Sequence, residues 1–254
     1  MNYGKKRTRK REHELASKGT MIRKKFNVIF CKALLICFFA VVIVGGCSAF
    51  GVISGIIASA PSIEDIDATP TGYLTTVLDN QGNQTATLVA SGSNRKYVTI
   101  NEIPINLQHA FVAIEDERFY DHNGIDLQGI LRAGLKGVAS GFHFSEGAST
   151  ITQQLVKNNV LSEQWESENT GDISKIEKME RQVQRKIQEM YIAVELEKKV
   201  DDKDWILENY LNSINLGNNT LGVQAAAERY FGKDVSDLTL SECAVIAGIT
   251  KNPS

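Results

Sequence analysis

Asn106-Leu107-Gln108-His109-Ala110-Phe111-Val112-Ala113-Ile114-Glu115-Asp116-Glu117-Arg118-Phe119-Tyr120-Asp121-His122-Asn123-Gly124 is the stretch on which the fold turns. Leu107, Ala110, Phe111 and Ile114 share one face at the helical period, so the segment begins as an amphipathic α-helix. It then runs into three consecutive acids. Carboxylates at the C-terminal end of a helix oppose its macrodipole, at a cost of about 0.3–1 kcal/mol each. A solvated helix end and a functional cluster are both open readings of that run.

Downstream, the same period recurs. Leu127, Ile130, Leu131, Gly134, Leu135 and Val138 form a second apolar stripe, with Asp126 as its N-cap. A third helix begins near Ser149, where Thr150 and Gln153 fit a capping box. Ser162 to Ser174, with Gly171, reads as a solvated loop. The longest helix is expected next, from Ile176, Met179, Val183, Ile187, Met190 and Val194. Trp205, Ile206, Tyr210 and Leu211 predict another, and Val223 to Phe231 a further one stopped by Gly232. The last starts at the capping box Thr239-Leu240-Ser241-Glu242. The body is therefore mainly α, without internal repeats.

Upstream, Tyr73 to Leu78 and Thr85 to Val89 flank Asp79-Asn80-Gln81-Gly82 and predict a β-hairpin. Arg95 to Ile100 is a candidate third strand, and Pro61 to Pro70 suits a linker. Ala33 to Ala60 holds no charged residue, and as a helix it would span roughly 42 Å against the ~30 Å of bilayer hydrocarbon. Residues 1–32 carry 11 of the 28 Lys/Arg but only two acids, Glu12 and Glu14, so a formal charge of −2 hides a tail of +9 and a body of −11. Positive residues beside the span place the N-terminus in the cytoplasm and residue 61 onward outside. A cleaved signal peptide normally has a shorter apolar region. Val44-Gly45-Gly46-Cys47 resembles a lipobox, but the apolar run continues past it. Of the four cysteines, Cys31, Cys37 and Cys47 lie in or beside this segment; Cys243 alone remains in the body, without an intrachain disulfide partner there, and is expected in the core.

Two more segments carry chemistry. Gly147 to Asn158 sets hydroxyls, amides and Lys157 around a helix N-terminus, a surrounding that suits sugar hydroxyls and phosphate oxygens but also a polar capped helix. Arg181, Arg185 and Glu189 fall on successive helical turns, with both arginines opposite the stripe through Val183 and Ile187. Arg181, Arg185 and Lys186 make a positive spot in an acidic body, suited to a pyrophosphate; surface ion pairs are the plainer reading.

Together the three segments resemble glycosyltransferase family 51, the transglycosylase domain of class A penicillin-binding proteins and of monofunctional peptidoglycan transglycosylases. The likeness covers about residues 70–254. It runs in family order through Ala113 to His122 and Gly124, Ser149 to Asn158, Arg185 to Glu189, Ile206 to Asn212, Ala226 to Lys233 and Leu240 to Gly248. It implies a mainly α, lysozyme-like fold with a hydrophobic jaw dipping into the membrane, lipid II as substrate and moenomycin as inhibitor. By position in the motifs, Glu115 takes the place of the family's general base and Glu189 that of its second glutamate. Lys157, Arg181, Arg185 and Lys186 match cations that hold the diphosphate. Asp116, Phe119, His122, Ser149, Thr150 and Gln154 match cleft-lining positions.

The expected organisation is then a basic cytoplasmic tail (1–32), a transmembrane helix (33–60), a linker with the hairpin (61–105) and a glycosyltransferase domain (106–254), C-terminally incomplete. Ala148 replaces a glycine common in the second motif, and the Asn158–Arg181 loop is longer than in many relatives. The sequence stops at Asn252-Pro253-Ser254, where members usually continue, so a fragment of a bifunctional or monofunctional polymerase is expected. Ser93-Asn94-Arg95-Lys96 matches a Ser-x-x-Lys pattern by chance, because no Lys-Thr-Gly accompanies it.

A sugar hydroxyl is a weak nucleophile, so a positioned carboxylate that takes its proton can contribute about 10²–10⁴-fold, and basic residues can neutralise a departing diphosphate. Direct displacement inverts the anomeric carbon and needs no covalent glycosyl-enzyme. No cofactor is required; a divalent cation, Mg²⁺ or Mn²⁺, is compatible with the substrate diphosphate, although the sequence shows no dedicated metal cage. Lipid II, the growing glycan strand, the bilayer and cell-wall synthesis or division proteins are the expected partners, and nucleic acid is not. Two rivals remain: a lysozyme-like lytic glycosidase, which has no use for a pyrophosphate site, and a non-catalytic anchored module that binds lipid II.

Overall fold

The computed structural model describes residues 4–16, 18–64, 66–73, 75–88, 95–140, 147–162, 165, 174–218 and 220–251. Most of the expected Ser162–Ser174 loop, Ser93 and Asn94, and the terminal Asn252-Pro253-Ser254 lie outside these residues. The chain divides into two units, Met1–Ala58 and Ser59–Ser254.

The first unit holds α1 (Lys5–Ala16) and α2 (Lys18–Ala58), the latter of 41 residues. Lys25–Ala58 is long and apolar enough to cross a membrane. Its large apolar side chains, from Phe26 to Ile53, are exposed, which an aqueous surface would not tolerate over such a length. The helix starts before the uncharged stretch and ends two residues short of Ala60.

The second unit opens with a two-stranded antiparallel hairpin, β1 (Thr75–Leu78) and β2 (Gln84–Leu88), with a register shift between Val77 and Leu78. Asp79 folds its turn by accepting the backbone N–H groups of Gln81 and Asn83, each at 2.8 Å. Arg95 to Ile100 does not become the expected third strand beyond one bridge from Arg95 to Tyr73. Its backbone bonds go elsewhere: Asn212 accepts the Val98 N–H and donates to the Val98 carbonyl, at 3.0 and 2.8 Å, and Glu208 accepts the Ile100 N–H. Side chains of a helix thus replace the neighbouring strand.

Among the described residues seven α-helices with defined bounds follow: α3 (Ile105–Glu115), α4 (Leu127–Ala139), α5 (Ile151–Asn159), α6 (Lys175–Val200), α7 (Lys203–Ser213), α8 (Val223–Phe231) and α9 (Leu240–Ile249). The nine-residue α5 is central, packed against both α6 and α7, while α3 packs along α9. Leu107, Phe111, Ile151, Leu155, Ile192, Leu196, Leu207 and Tyr210 meet in the core, and Cys243 is buried among them as expected.

Two of the predicted stripes point the other way. Leu127, Ile130, Leu131 and Leu135 on α4 are exposed, as are Ile176, Met179 and Val183 on the first half of α6. The period correctly groups these residues on one face but does not say what that face meets. The core side of α6 is instead Gln188, Glu189, Ile192, Ala193, Leu196 and Glu197. Trp165, expected in a solvated loop, is buried.

Gly124 has a φ of +85°, and a Cβ there would lie 2.6 Å from the carbonyl oxygen of Ala193 in α6. Only glycine permits both the left-handed turn and the backbone contact.

The capping box expected for α9 is present. Glu242 accepts the Thr239 backbone N–H at 2.7 Å, the Lys233 ammonium at 2.9 Å and the Thr239 hydroxyl at 2.7 Å, which lower its pKa from 4.5 to about 2. A carboxyl group lowered on folding adds stability above its unfolded pKa and loses it as pH falls through the folded one. Thermal melts of Glu242→Gln in detergent should therefore show a Tm below wild type at neutral pH, with the gap closing between pH 4.5 and about 2.

Candidate active site

Glu115 is the last residue of α3, and its carboxylate meets donors on both oxygens. Gln154 of α5 donates to Oε2 at 2.9 Å, and the Thr250 hydroxyl, at the C-cap of α9, donates to Oε1 at 2.5 Å. The Lys251 ammonium stands 3.9 Å from the same oxygen. Tyr210, buried in α7, reaches the Gln154 carbonyl oxygen at 3.5 Å; burial pushes its phenol well above the usual range, and the charges of Glu115 and Asp116 add to that. Glu115 remains 14% exposed, enough to face a substrate.

Glu189 projects from the buried side of α6. The Lys186 ammonium, one turn earlier, bridges it to Ser149, with 2.9 Å to the Glu189 carboxylate and 2.7 Å to the Ser149 hydroxyl. Both glutamates open onto one cavity of about 460 Å³, lined by Ile114, Glu115, Gly147, Ser149, Gln153, Gln154, Lys157, Lys186, Glu189 and Lys251. Two carboxylates thus face three ammonium groups in a body whose overall charge is negative.

Six of the residues singled out from sequence line this space: Glu115, Ser149, Gln154, Lys157, Lys186 and Glu189. The other six do not. Asp116 and Phe119 are buried, His122 is 9% exposed, and Thr150 is buried as the N-cap of α5, accepting the Gln153 N–H at 3.1 Å. Asp116 accepts the Ile151 N–H at 3.0 Å and meets His122 Nε2 at 3.0 Å, so it neutralises the amino end of α5 rather than lying unpaired at the end of α3. Thr150 also donates to the Gly124 carbonyl at 2.7 Å. The Arg185 guanidinium lies 4.1 Å above the Trp165 ring, and Arg181 is half-buried on the preceding turn.

A support lies beneath. Glu197 accepts the Thr152 hydroxyl at 2.5 Å and the Lys203 ammonium at 2.7 Å, and Lys203 also donates to the His122 carbonyl at 2.6 Å. Arg118 clamps Asp126, whose carboxyl falls below its usual range chiefly through that bond, and Asp126 caps α4 by accepting the Gly129 N–H at 3.0 Å.

Sequence reasoning missed three neighbours of the site. Gln153 forms only half of the expected capping box: its backbone bonds to Thr150, while its buried side-chain amide lines the cavity with no partner among the described residues. Thr250 and Lys251 come from beyond the last motif and carry no local signal; only the packing of α9 on α3 brings them to Glu115.

The model of the Transglycosylase family matches residues 81–254. The chain is 42% identical over 257 aligned residues to penicillin-binding protein 1A of Clostridium perfringens strain 13, covering 97% of this chain and 34% of the relative. It is 37% identical to penicillin-binding protein 1A of Clostridium tetani over its whole length and 28% of that protein. To penicillin-binding protein 1A of Escherichia coli K12 it is 48% identical over 157 residues, 62% of this chain and 16% of the relative. The chain spans about a third or less of the length of these relatives.

The buried support can be probed without reference to function. Lys203→Met leaves the Glu197 carboxylate buried with Thr152 alone, and removing one partner of a buried ion pair costs about 3–5 kcal/mol. Urea unfolding in detergent should show that loss, and the double variant Glu197→Met/Lys203→Met should recover most of it.

Proposed function

The chain belongs to the transglycosylase family, and from that premise we propose that it polymerises lipid II into β-1,4-linked glycan, inverting the donor anomeric carbon and releasing undecaprenyl pyrophosphate. The observation that carries this reading is the shared cavity, where Glu115 stands at one side and Glu189 with Lys186 at another.

Glu115 takes the proton of the acceptor 4-hydroxyl as its oxygen attacks the donor carbon. The two donors on its carboxylate hold it in one orientation, which is what a positioned general base requires. The bond to the diphosphate breaks with its electron pair passing to the phosphate oxygen, and Lys157 and Lys186 meet the charge that develops there. Arg181 and Arg185, half-buried on the turns of α6 before Lys186, extend the positive surface toward the same group. Asp116, Phe119, His122 and Thr150 act from beneath, by fixing the end of α3 against α5. Two carboxylates among three ammonium groups suit an anion better than a resident cation, so a divalent ion would arrive with the diphosphate.

The exposed apolar residues of α4 and of early α6 support a substrate drawn from a bilayer: Leu127, Leu131 and Leu135 offer a lipid-facing surface that water would penalise. With α2 as a single anchor and the basic tail in the cytoplasm, the catalytic unit works at the outer face of the cell membrane, beside other cell-wall synthesis or division proteins.

Labelled lipid II incubated with the detergent-solubilised chain should yield polymer. Glu115→Gln should reduce the rate by about 10²–10⁴-fold while moenomycin binding persists. Shortening of preformed glycan without growth from lipid II would identify a lytic enzyme, and binding without either reaction a non-catalytic module.

A further inference from the structure

The Thr250 hydroxyl has two acceptors within reach. One is Glu115 Oε1 at 2.5 Å, and the other is the Ala247 carbonyl of its own helix at 2.9 Å. A hydroxyl carries one hydrogen and two lone pairs, so it can donate to only one of them at a time. We propose that Thr250 is a positioning residue for Glu115, holding the carboxyl group in one place through both of its protonation states by reversing a hydrogen bond. This rests on the reading of Glu115 as the base.

While Glu115 is ionised, Thr250 donates to Oε1 and Gln154 to Oε2. When the acceptor hydroxyl gives up its proton, that O–H electron pair forms the glycosidic bond and Glu115 becomes a carboxylic acid. Its new O–H now has a donor where it needs an acceptor. Rotation about the Thr250 Cβ–Oγ bond sends the hydroxyl hydrogen to the Ala247 carbonyl and turns a lone pair toward Glu115. No heavy atom moves, and neither state leaves a polar group unsatisfied.

The neighbours of Glu115 cannot make that exchange. Lys251 donates to the Ile114 carbonyl at 3.1 Å and has no lone pair to offer when charged. Gln154 presents its amide N–H to Glu115 and its carbonyl to Tyr210. Asp116 is occupied with Ile151 and His122, and Lys157, Lys186 and Glu189 line the cavity from α5 and α6. Among the described groups bonded to Glu115, Thr250 is the one that passes from donor to acceptor by turning a single hydrogen, whereas Gln154 would have to flip its amide and give up Tyr210.

The test is Thr250→Val, which keeps shape and removes the hydroxyl, beside Thr250→Ser, which restores it. In the full chain in detergent, kcat for lipid II should fall at least tenfold in the valine variant, with KM unchanged. Serine should recover kcat. A ligand-free measurement separates this from the function itself: a crystal structure of the valine variant should show the Glu115 carboxyl group turned out of its place beside Gln154, and the serine variant should show it restored, whether or not the chain polymerises lipid II. An unmoved Glu115 carboxyl group, or a change confined to KM, would overturn the proposal.

Discussion

The carboxylate of Asp116 on the amino end of α5 is the contact that arranges everything around it. It joins the end of one helix to the start of another at 3.0 Å and takes His122 as a second partner. Adjacent acids at the end of α3 would repel each other and the helix dipole if both faced the same way. Here they part: Asp116 turns inward to a positive helix end, and Glu115 turns outward to the cavity. The electrostatic penalty noted in the bare sequence is thus offset by a partner that only tertiary structure supplies.

Packing carries the rest of the arrangement. Thr150 binds the Gly124 carbonyl, so the turn after α3 is stitched to α5 by side chain and backbone together. Glu197 and Lys203 lie beneath, tying α5, α6, α7 and the His122 carbonyl. Among the described residues the buried acids Asp116, Glu189 and Glu197 are each paired, and Glu115 keeps a donor on each oxygen together with a face open to the cavity.

Much of the fold is legible in the residues. The Val223–Phe231 helix with its glycine stop, the Thr239–Glu242 capping box and the hairpin turn at Asp79 are local patterns whose physics is complete within a few residues. What fails is what depends on a partner far away in the chain. Arg95 to Ile100 has strand-like composition, yet Asn212 and Glu208 claim its backbone. The stripes on α4 and early α6 have the right period yet stay exposed, since periodicity identifies a face and not its environment. The site divides the same way. Glu115, Lys157, Lys186 and Glu189 sit in motifs, whereas Thr250 and Lys251 reach the cavity only because α9 lies along α3.

The backbone contact of Gly124 with Ala193 sets a mechanical limit on the cavity. Ala193 is one helical turn beyond Glu189, and Gly124 closes the segment that begins at Glu115, so the gap between the two acids is gauged by main chain touching main chain. Side chains around the opening can vary in size and charge and retune what is held there. The approach of α6 to the turn after α3 is not theirs to adjust, because it is main chain against main chain.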